Sequence, residues 1–154
     1  MSAAELLERH PLLARMRLDQ VERIAQAGTL EQFVVKEEIV REGSLGDALY
    51  LVLTGSVGVS KNGQALAQLA SGEFFGEMAL IEPAPRSASV HALEPTFVFR
   101  LPYTALQSLL EDDGVAFNAV LVQIVKTLSD RLRKANELVT SVGHLADWLA
   151  GSLV

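Results

Sequence analysis

The 154-residue chain reads as an α+β domain, an antiparallel β-barrel or sandwich set between helices. Apolar residues recur at helical spacing as far as about Ala27. Short β-branched and aromatic runs broken by glycine turns then occupy Phe33 to Leu101, with no helix-period insert between Gln32 and Ala70. Helical spacing returns after Pro102 and is sustained almost to the end.

The opening helical section, residues 1–28, carries Leu6, Leu7, Leu12, Leu13, Met16, Leu18, Val21 and Ile24 between charged positions. Pro11 has no amide hydrogen and a fixed φ, so it divides this section into two helices. In the strand section, residues 29–101, the candidate strands are Phe33-Val34-Val35, Ile39-Val40, Leu49 to Leu53, Val57-Gly58-Val59 and Phe97-Val98-Phe99. Asn62-Gly63 accommodates the positive φ angles of a tight primed turn and predicts a hairpin between two antiparallel strands. Glu77 to Ile81 suits a single helical turn whose first amides can face an anion.

The last section, residues 102–150, begins with a helix over Tyr103 to Leu110 and resumes, after Asp112-Asp113-Gly114, as a long helix from about Val115. Leu128, Leu132, Ala135, Val139, Val142, Ala146 and Leu149 alternate at spacings of four and three, which is a heptad seam. The seam predicts a homodimer through the C-terminal helix; the alternative is a stripe packed on the chain's own barrel. Gly143 is a candidate break ahead of His144, leaving Leu145 to Trp148 as a short terminal helix.

Composition narrows the function. The 49% hydrophobic content supports one ordinary core, and the absence of cysteine removes disulfides, thiolate catalysis and iron–sulfur clusters. Neither a signal peptide nor an apolar run of spanning length is present, which predicts a cytoplasmic protein without membrane insertion. The net charge of −6 and the lack of Lys or Arg from Gly143 to Val154 argue against direct contact with nucleic acid. His10, His91 and His144 are far apart without metal-ligand spacing, so they read as surface histidines and no metal is expected. With no Gly-x-Ser-x-Gly elbow and no acidic pair at helical metal spacing, the chain is not read as an enzyme.

The segment from Gly72 to Val90 carries the chemistry. Gly76 lets backbone amides approach an anion where a Cβ would obstruct them. Arg86 offers a planar fork for two parallel hydrogen bonds to a phosphate, and Pro85 restricts the chain before it. Glu77 can accept a hydrogen bond from a ribose hydroxyl or orient the arginine. Together they read as a sugar-phosphate pocket; the bland alternative is a structural pair of Glu77 with Arg86 and no ligand.

Phe75-Gly76-Glu77-Met78-Ala79-Leu80-Ile81 followed by Pro85-Arg86-Ser87-Ala88-Ser89-Val90 resembles the phosphate-binding cassette of cyclic nucleotide-binding domains. That family is shared by catabolite activator proteins, protein kinase A regulatory subunits and cyclic nucleotide-gated channels. The stretch from Arg41 to Val57 also resembles the family's first barrel strands, so the likeness covers residues from about 20 to about 140. The resemblance implies a jelly-roll-like barrel, a double-stranded β-helix, with cyclic AMP or cyclic GMP as ligand and no cofactor. It implies ligand contacts from Phe75, Gly76, Glu77, Met78, Ala79, Arg86, Ser87 and Ala88. Ser87 fits either the cyclic phosphate or a guanine edge, and Ala88 contributes its backbone amide. The C-terminal helix is expected to close over the base, with Arg131, Arg133 and Asn136 as candidate caps. Too little chain follows Ser141 for a helix-turn-helix, so the output would lie in an effector protein or a fused domain. The competing expectation is a ligand-free, degenerate domain acting as a dimeric interaction module.

Overall fold

The structure, a computed structural model, describes residues 2–152. Ser2 starts the first helix, α1 (Ala3–Glu8), with a capping box: the Glu5 amide donates to Ser2 Oγ at 3.2 Å and the Ser2 amide donates to the Glu5 carboxylate at 2.6 Å. Pro11 then opens a 3₁₀ turn (Pro11–Leu13), and α2 follows at Leu18–Ala27. The expected division at Pro11 is therefore present, with the ring at the first position of the turn, where its missing amide hydrogen is least costly.

The described residues next form β1 (Thr29–Phe33), β2 (Glu38–Val40), β3 (Ala48–Thr54), β4 (Ser56–Lys61), β5 (Gln64–Ala70) and β6 (Phe74–Phe75). A single helical turn, α3 (Met78–Ile81), precedes β7 (Ser89–Ala92) and β8 (Thr96–Pro102). All pairings between strands are antiparallel, in two four-stranded sheets ordered β1-β8-β3-β6 and β2-β7-β4-β5. The hairpin at Asn62-Gly63 is as expected: both residues have positive φ, 52° and 77°, and β4 pairs with β5 across them.

The closed barrel is corrected to a two-sheet sandwich. Among the described residues no ladder joins the sheets, and the edge strands β2 and β6 have only three and two residues, too few to carry pairing around a corner. The core lies between the sheets, where Ala48, Tyr50, Val52, Phe75 and Val98 of one meet Val57, Leu69 and Val90 of the other. β3 is buried on both faces, which explains its unbroken apolar run, and α2 and α4 (Tyr103–Asp112) lie against its neighbour β8.

Three further expectations change. Val34 and Val35 lie outside any strand and are exposed, because the chain turns at Lys36 with φ 72° and the Glu37 amide returns to the Val34 carbonyl at 3.1 Å. His10 is buried rather than on the surface, at 3% exposure. Its Nδ1 accepts from the Leu12 amide and its Nε2 donates to the Glu73 carbonyl, each at 3.1 Å, so a neutral ring pins the 3₁₀ turn to the entry of β6. Finally, the long helix α5 (Gly114–Ser152) runs through Gly143 without a break. One interior glycine costs about 1 kcal/mol relative to alanine, which a helix of this length carries.

The chain divides into two compact units, Met1–Val120 and Leu121–Val154. In the second, Leu128 is half-buried while Leu132, Ala135, Val139 and Val142 are exposed, as an unpartnered seam would be. The side chains of Ala146, Trp148 and Leu149 lie outside the described residues. No helix among the described residues is long and apolar enough to cross a membrane.

Candidate anion-binding site

The cassette is brought beside β3 by a two-residue ladder in which Tyr50 pairs with Phe75 and Leu51 with Phe74. The Tyr50 and Phe75 rings stack with centroids 4.9 Å apart and planes 4° from parallel, fixing the floor from which the cassette departs. Gly76 turns the chain away with φ +88°, a conformation that favours glycine. Glu77, buried at 7% exposure, occupies the cap position of α3.

The returning limb is held by the loop before β3. Leu45 and Pro85 form an antiparallel bridge, the Arg86 amide donates to the Ser44 carbonyl at 2.7 Å, and the Arg86 carbonyl accepts from the Gly43 amide at 2.8 Å. Both hydrogen-bonding groups of the Arg86 backbone are thereby satisfied, and the side chain leaves from a fixed point.

Its guanidinium has neutral partners. Nη2 donates to the Ala48 carbonyl at 2.8 Å, Nη1 donates to the Tyr103 hydroxyl at 3.3 Å, and Cζ lies 5.9 Å from the centre of the Tyr50 ring. The Tyr103 hydroxyl donates onward to the Gly76 carbonyl. Among the described residues, a carbonyl, a phenol and an aromatic face orient the cation. Among the described residues two of the five guanidinium N–H donors are engaged, which leaves three for a bidentate anion.

Two glycines make room for this group. A Cβ on Gly76 would lie 2.7 Å from Nη1 and 2.8 Å from the Ala48 carbonyl oxygen; one on Gly46 would lie 2.8 Å from Cζ. The guanidinium faces a cleft of about 390 Å³ lined by Ile39, Val40, Leu45 and Tyr50 as well as by charged groups. The charged groups at its rim are internally matched: Arg41 pairs with Glu38 at 2.8 Å, and Asp47 pairs with Arg100 at 2.8 Å. Burial pushes both phenols up from their ordinary pKa, opposed at Tyr103 by the Arg86 guanidinium and at Tyr50 by Arg100. Both hydroxyls therefore keep their protons near neutral pH.

Of the residues expected from sequence, Gly76 lies against the Arg86 guanidinium, Phe75 stacks on the Tyr50 ring that faces it, and Glu77 is buried next in the chain. Met78 is 70% exposed on α3, Ala79 and Ala88 are half-buried, and Ser87 is exposed. Arg131, Arg133 and Asn136 belong to the second unit, where Arg133 pairs with Asp130 at 3.0 Å and the Asn136 carbonyl accepts from Thr140 Oγ1 at 2.9 Å. Sequence reasoning missed Gly46, the Ala48 carbonyl, Tyr50 and Tyr103. A tyrosine inside the apolar run Leu49 to Leu53 is a legible signal, because a buried phenol needs a polar neighbour. Tyr103 carries no such mark.

Residues 30–113 match the family profile described as cyclic nucleotide-binding domain. The chain is 31% identical over 135 residues to the Pycsar effector protein PaPycTIR of Pseudomonas aeruginosa, covering 87% of this chain and 42% of that protein. It is 34% identical over 100 residues to the cAMP-dependent protein kinase regulatory subunit of Debaryomyces hansenii, covering 64% of this chain and 22% of that one. Among solved structures, a cyclic nucleotide-binding domain from Methylobacillus flagellatus superposes with a TM-score of 0.75 at 29% identity, covering 87% of this chain and 78% of that one. The chain thus spans less than half the length of these two curated relatives. The matched profile takes in both limbs of the cassette and the strands that hold them, and the chain belongs to the cyclic nucleotide-binding domain family.

Proposed function

We propose that this chain is a receptor module for cyclic AMP or cyclic GMP, without catalytic activity of its own. The observation that carries this reading is the Arg86 guanidinium, held by neutral groups between two bare glycines at the mouth of a cleft, with donors to spare. A cyclic phosphate is a monoanion with two exocyclic oxygens, and a planar fork meets it with two parallel hydrogen bonds. Gly76 offers its amide beside the ribose and Glu77 accepts from the ribose hydroxyl. Phe75, Met78, Ala79, Ser87 and Ala88 complete the surround. A degenerate interaction module would have no need of Gly46 and Gly76 pressed against one arginine, which favours the receptor reading.

The remaining steps follow from linkage. We take the two sheets as jelly-roll-like and the whole chain, 1–154, as one domain whose C-terminal helix moves over the bound base, with Arg131, Arg133 or Asn136 as cap. Ligand shifts that equilibrium only by the difference in its affinity for the open and closed arrangements; about 1.4 kcal/mol corresponds to tenfold. The exposed stripe at Leu132, Ala135, Val139 and Val142 supports a homodimer through α5. One relative is named as an effector protein and another as a kinase regulatory subunit, and both are longer than this chain. That supports an output lying in a fused domain or an effector protein. Equilibrium dialysis with labelled cyclic AMP and cyclic GMP tests the reading, with 5′-AMP as competitor. Saturable binding that excess 5′-AMP does not displace is expected; retention of neither cyclic nucleotide refutes it.

A further inference from the structure

Tyr103 is the first residue of α4, yet its hydroxyl stands between two parts of the cassette. It accepts from Arg86 Nη1 at 3.3 Å and donates to the Gly76 carbonyl. A hydroxyl has one proton, and with that proton on Gly76 the oxygen faces Arg86 as an acceptor. The chain of bonds therefore runs in one sense, from guanidinium through phenol to the carbonyl of the turn.

The second anchor, from Nη2 to the Ala48 carbonyl at 2.8 Å, lies on β3. A planar group held at two nitrogens keeps one orientation, whereas a group held at one can pivot about that bond. Ala48 is a backbone acceptor in a strand with a fully buried side chain and cannot follow the arginine. Tyr103 is therefore the anchor that can respond, and it sits on a helix start rather than on the sheet. The Tyr50 ring, 5.9 Å from Cζ, limits motion on the remaining face.

We propose that Tyr103 is a positioning residue of the anion site: its hydroxyl aims the Arg86 fork into the cleft and couples an anion bound there to the start of α4. This rests on Arg86 being the phosphate ligand. An anion on the free donors draws on the same cationic charge that holds the phenol, so occupancy alters the Arg86–Tyr103 bond and, through it, the Gly76 carbonyl. The charged groups acting on the phenol are Arg86, which lowers its pKa, and Glu77 and Asp47, which raise it. Neutralising Arg86 leaves burial and the two carboxylates unopposed, so the Tyr103 titration moves upward when an anion is bound.

The chain's two tyrosines, Tyr50 and Tyr103, make the test direct, since a ¹³Cζ-tyrosine spectrum holds two resonances and Tyr103→Phe removes one. In ligand-free protein, Arg86→Gln, which removes the charge, should displace the Tyr103 resonance and raise its titration midpoint. A resonance and midpoint that ignore Arg86 overturn the proposal, whatever the ligand. With cyclic AMP, the wild-type Tyr103 resonance should shift on saturation, and Tyr103→Phe should weaken affinity about tenfold in a protein that stays folded, its urea midpoint lowered only modestly by the loss of two hydrogen bonds. Affinity unchanged in Tyr103→Phe, or an affinity loss matched by unfolding, also overturns it. If the wild type binds neither cyclic nucleotide, the receptor reading fails, while the ligand-free arm still decides the positioning of Arg86 by Tyr103.

Discussion

Replacing Gly76 by alanine separates two costs that a glycine can conceal. The first is backbone strain: at φ +88° a residue with a Cβ is disfavoured by about 1–2 kcal/mol. Gly63 measures that term alone, because its φ is +77° and a Cβ there would meet nothing within 4 Å. At Gly76 the added carbon would lie 2.7 Å from Arg86 Nη1 and 2.8 Å from the Ala48 carbonyl oxygen. The arginine can swing away, at the loss of about 1 kcal/mol for its hydrogen bond to Tyr103. The carbonyl belongs to a central strand and does not yield, so overpacking adds about 1–3 kcal/mol. Gly76→Ala should therefore destabilise by about 2–4 kcal/mol more than Gly63→Ala, read from urea midpoints at unchanged m-value. Gly63→Ala should keep its affinity for cyclic nucleotide, and Gly76→Ala should lose at least about tenfold as Arg86 is displaced. Equal stability losses with equal affinities would refute the claim that Gly76 is bare for the sake of the arginine.

Other outcomes follow from the same packing. Phe99→Ala removes a ring that is fully buried at 0% exposure and should cost about 3–5 kcal/mol in urea unfolding; a loss under about 1 kcal/mol would mean that β8 is not a core strand. His10 is held below its ordinary pKa, chiefly by burial and against the Glu73 carbonyl. The unfolded ring titrates near about 6.5 and the folded ring lower, so between those values the unfolded chain binds the extra proton. The stability due to the neutral ring is complete above about pH 6.5 and falls as the solution is acidified through that window. Comparing urea midpoints of wild type and His10→Gln from pH 7.5 to 5.5 reads this, and parallel pH dependences would contradict it. On α5, Val139→Glu with Val142→Glu should convert a dimer to a monomer in sedimentation analysis; wild type sedimenting as a monomer would remove the seam as an interface.

Sequence pattern revealed what depends on neighbours along the chain. Asn62-Gly63 announces its own turn because two successive positive φ angles are needed there, and Pro11 and Pro102 mark helix starts through a missing amide hydrogen. The cassette was legible because Gly76 and Arg86 are chemically unusual and ordered in a short span. Elements defined by distant partners were not. β6 has two residues and exists only because Tyr50 and Leu51 pair with them, and β7 is fixed by ladders to both β2 and β4. His10 looked like any isolated histidine because its acceptor, the Glu73 carbonyl, is 63 residues away. Gly46 and Tyr103 escaped notice for the same reason: what gives them meaning is the tip of a side chain that folding brings to them. Whether the sheets close could not be read from periodicity, since alternation is the same in a barrel and in a sandwich.

The claim on which the rest depends is that Arg86 holds a cyclic phosphate. Isothermal calorimetry with cyclic AMP and then cyclic GMP in moderate salt, on wild type and on Arg86→Ala, tests it most directly. Saturable heat in the wild type, abolished in a variant that keeps its circular dichroism spectrum, is the predicted result. No heat and no thermal shift with either nucleotide, or binding equally tight without the arginine, would contradict it.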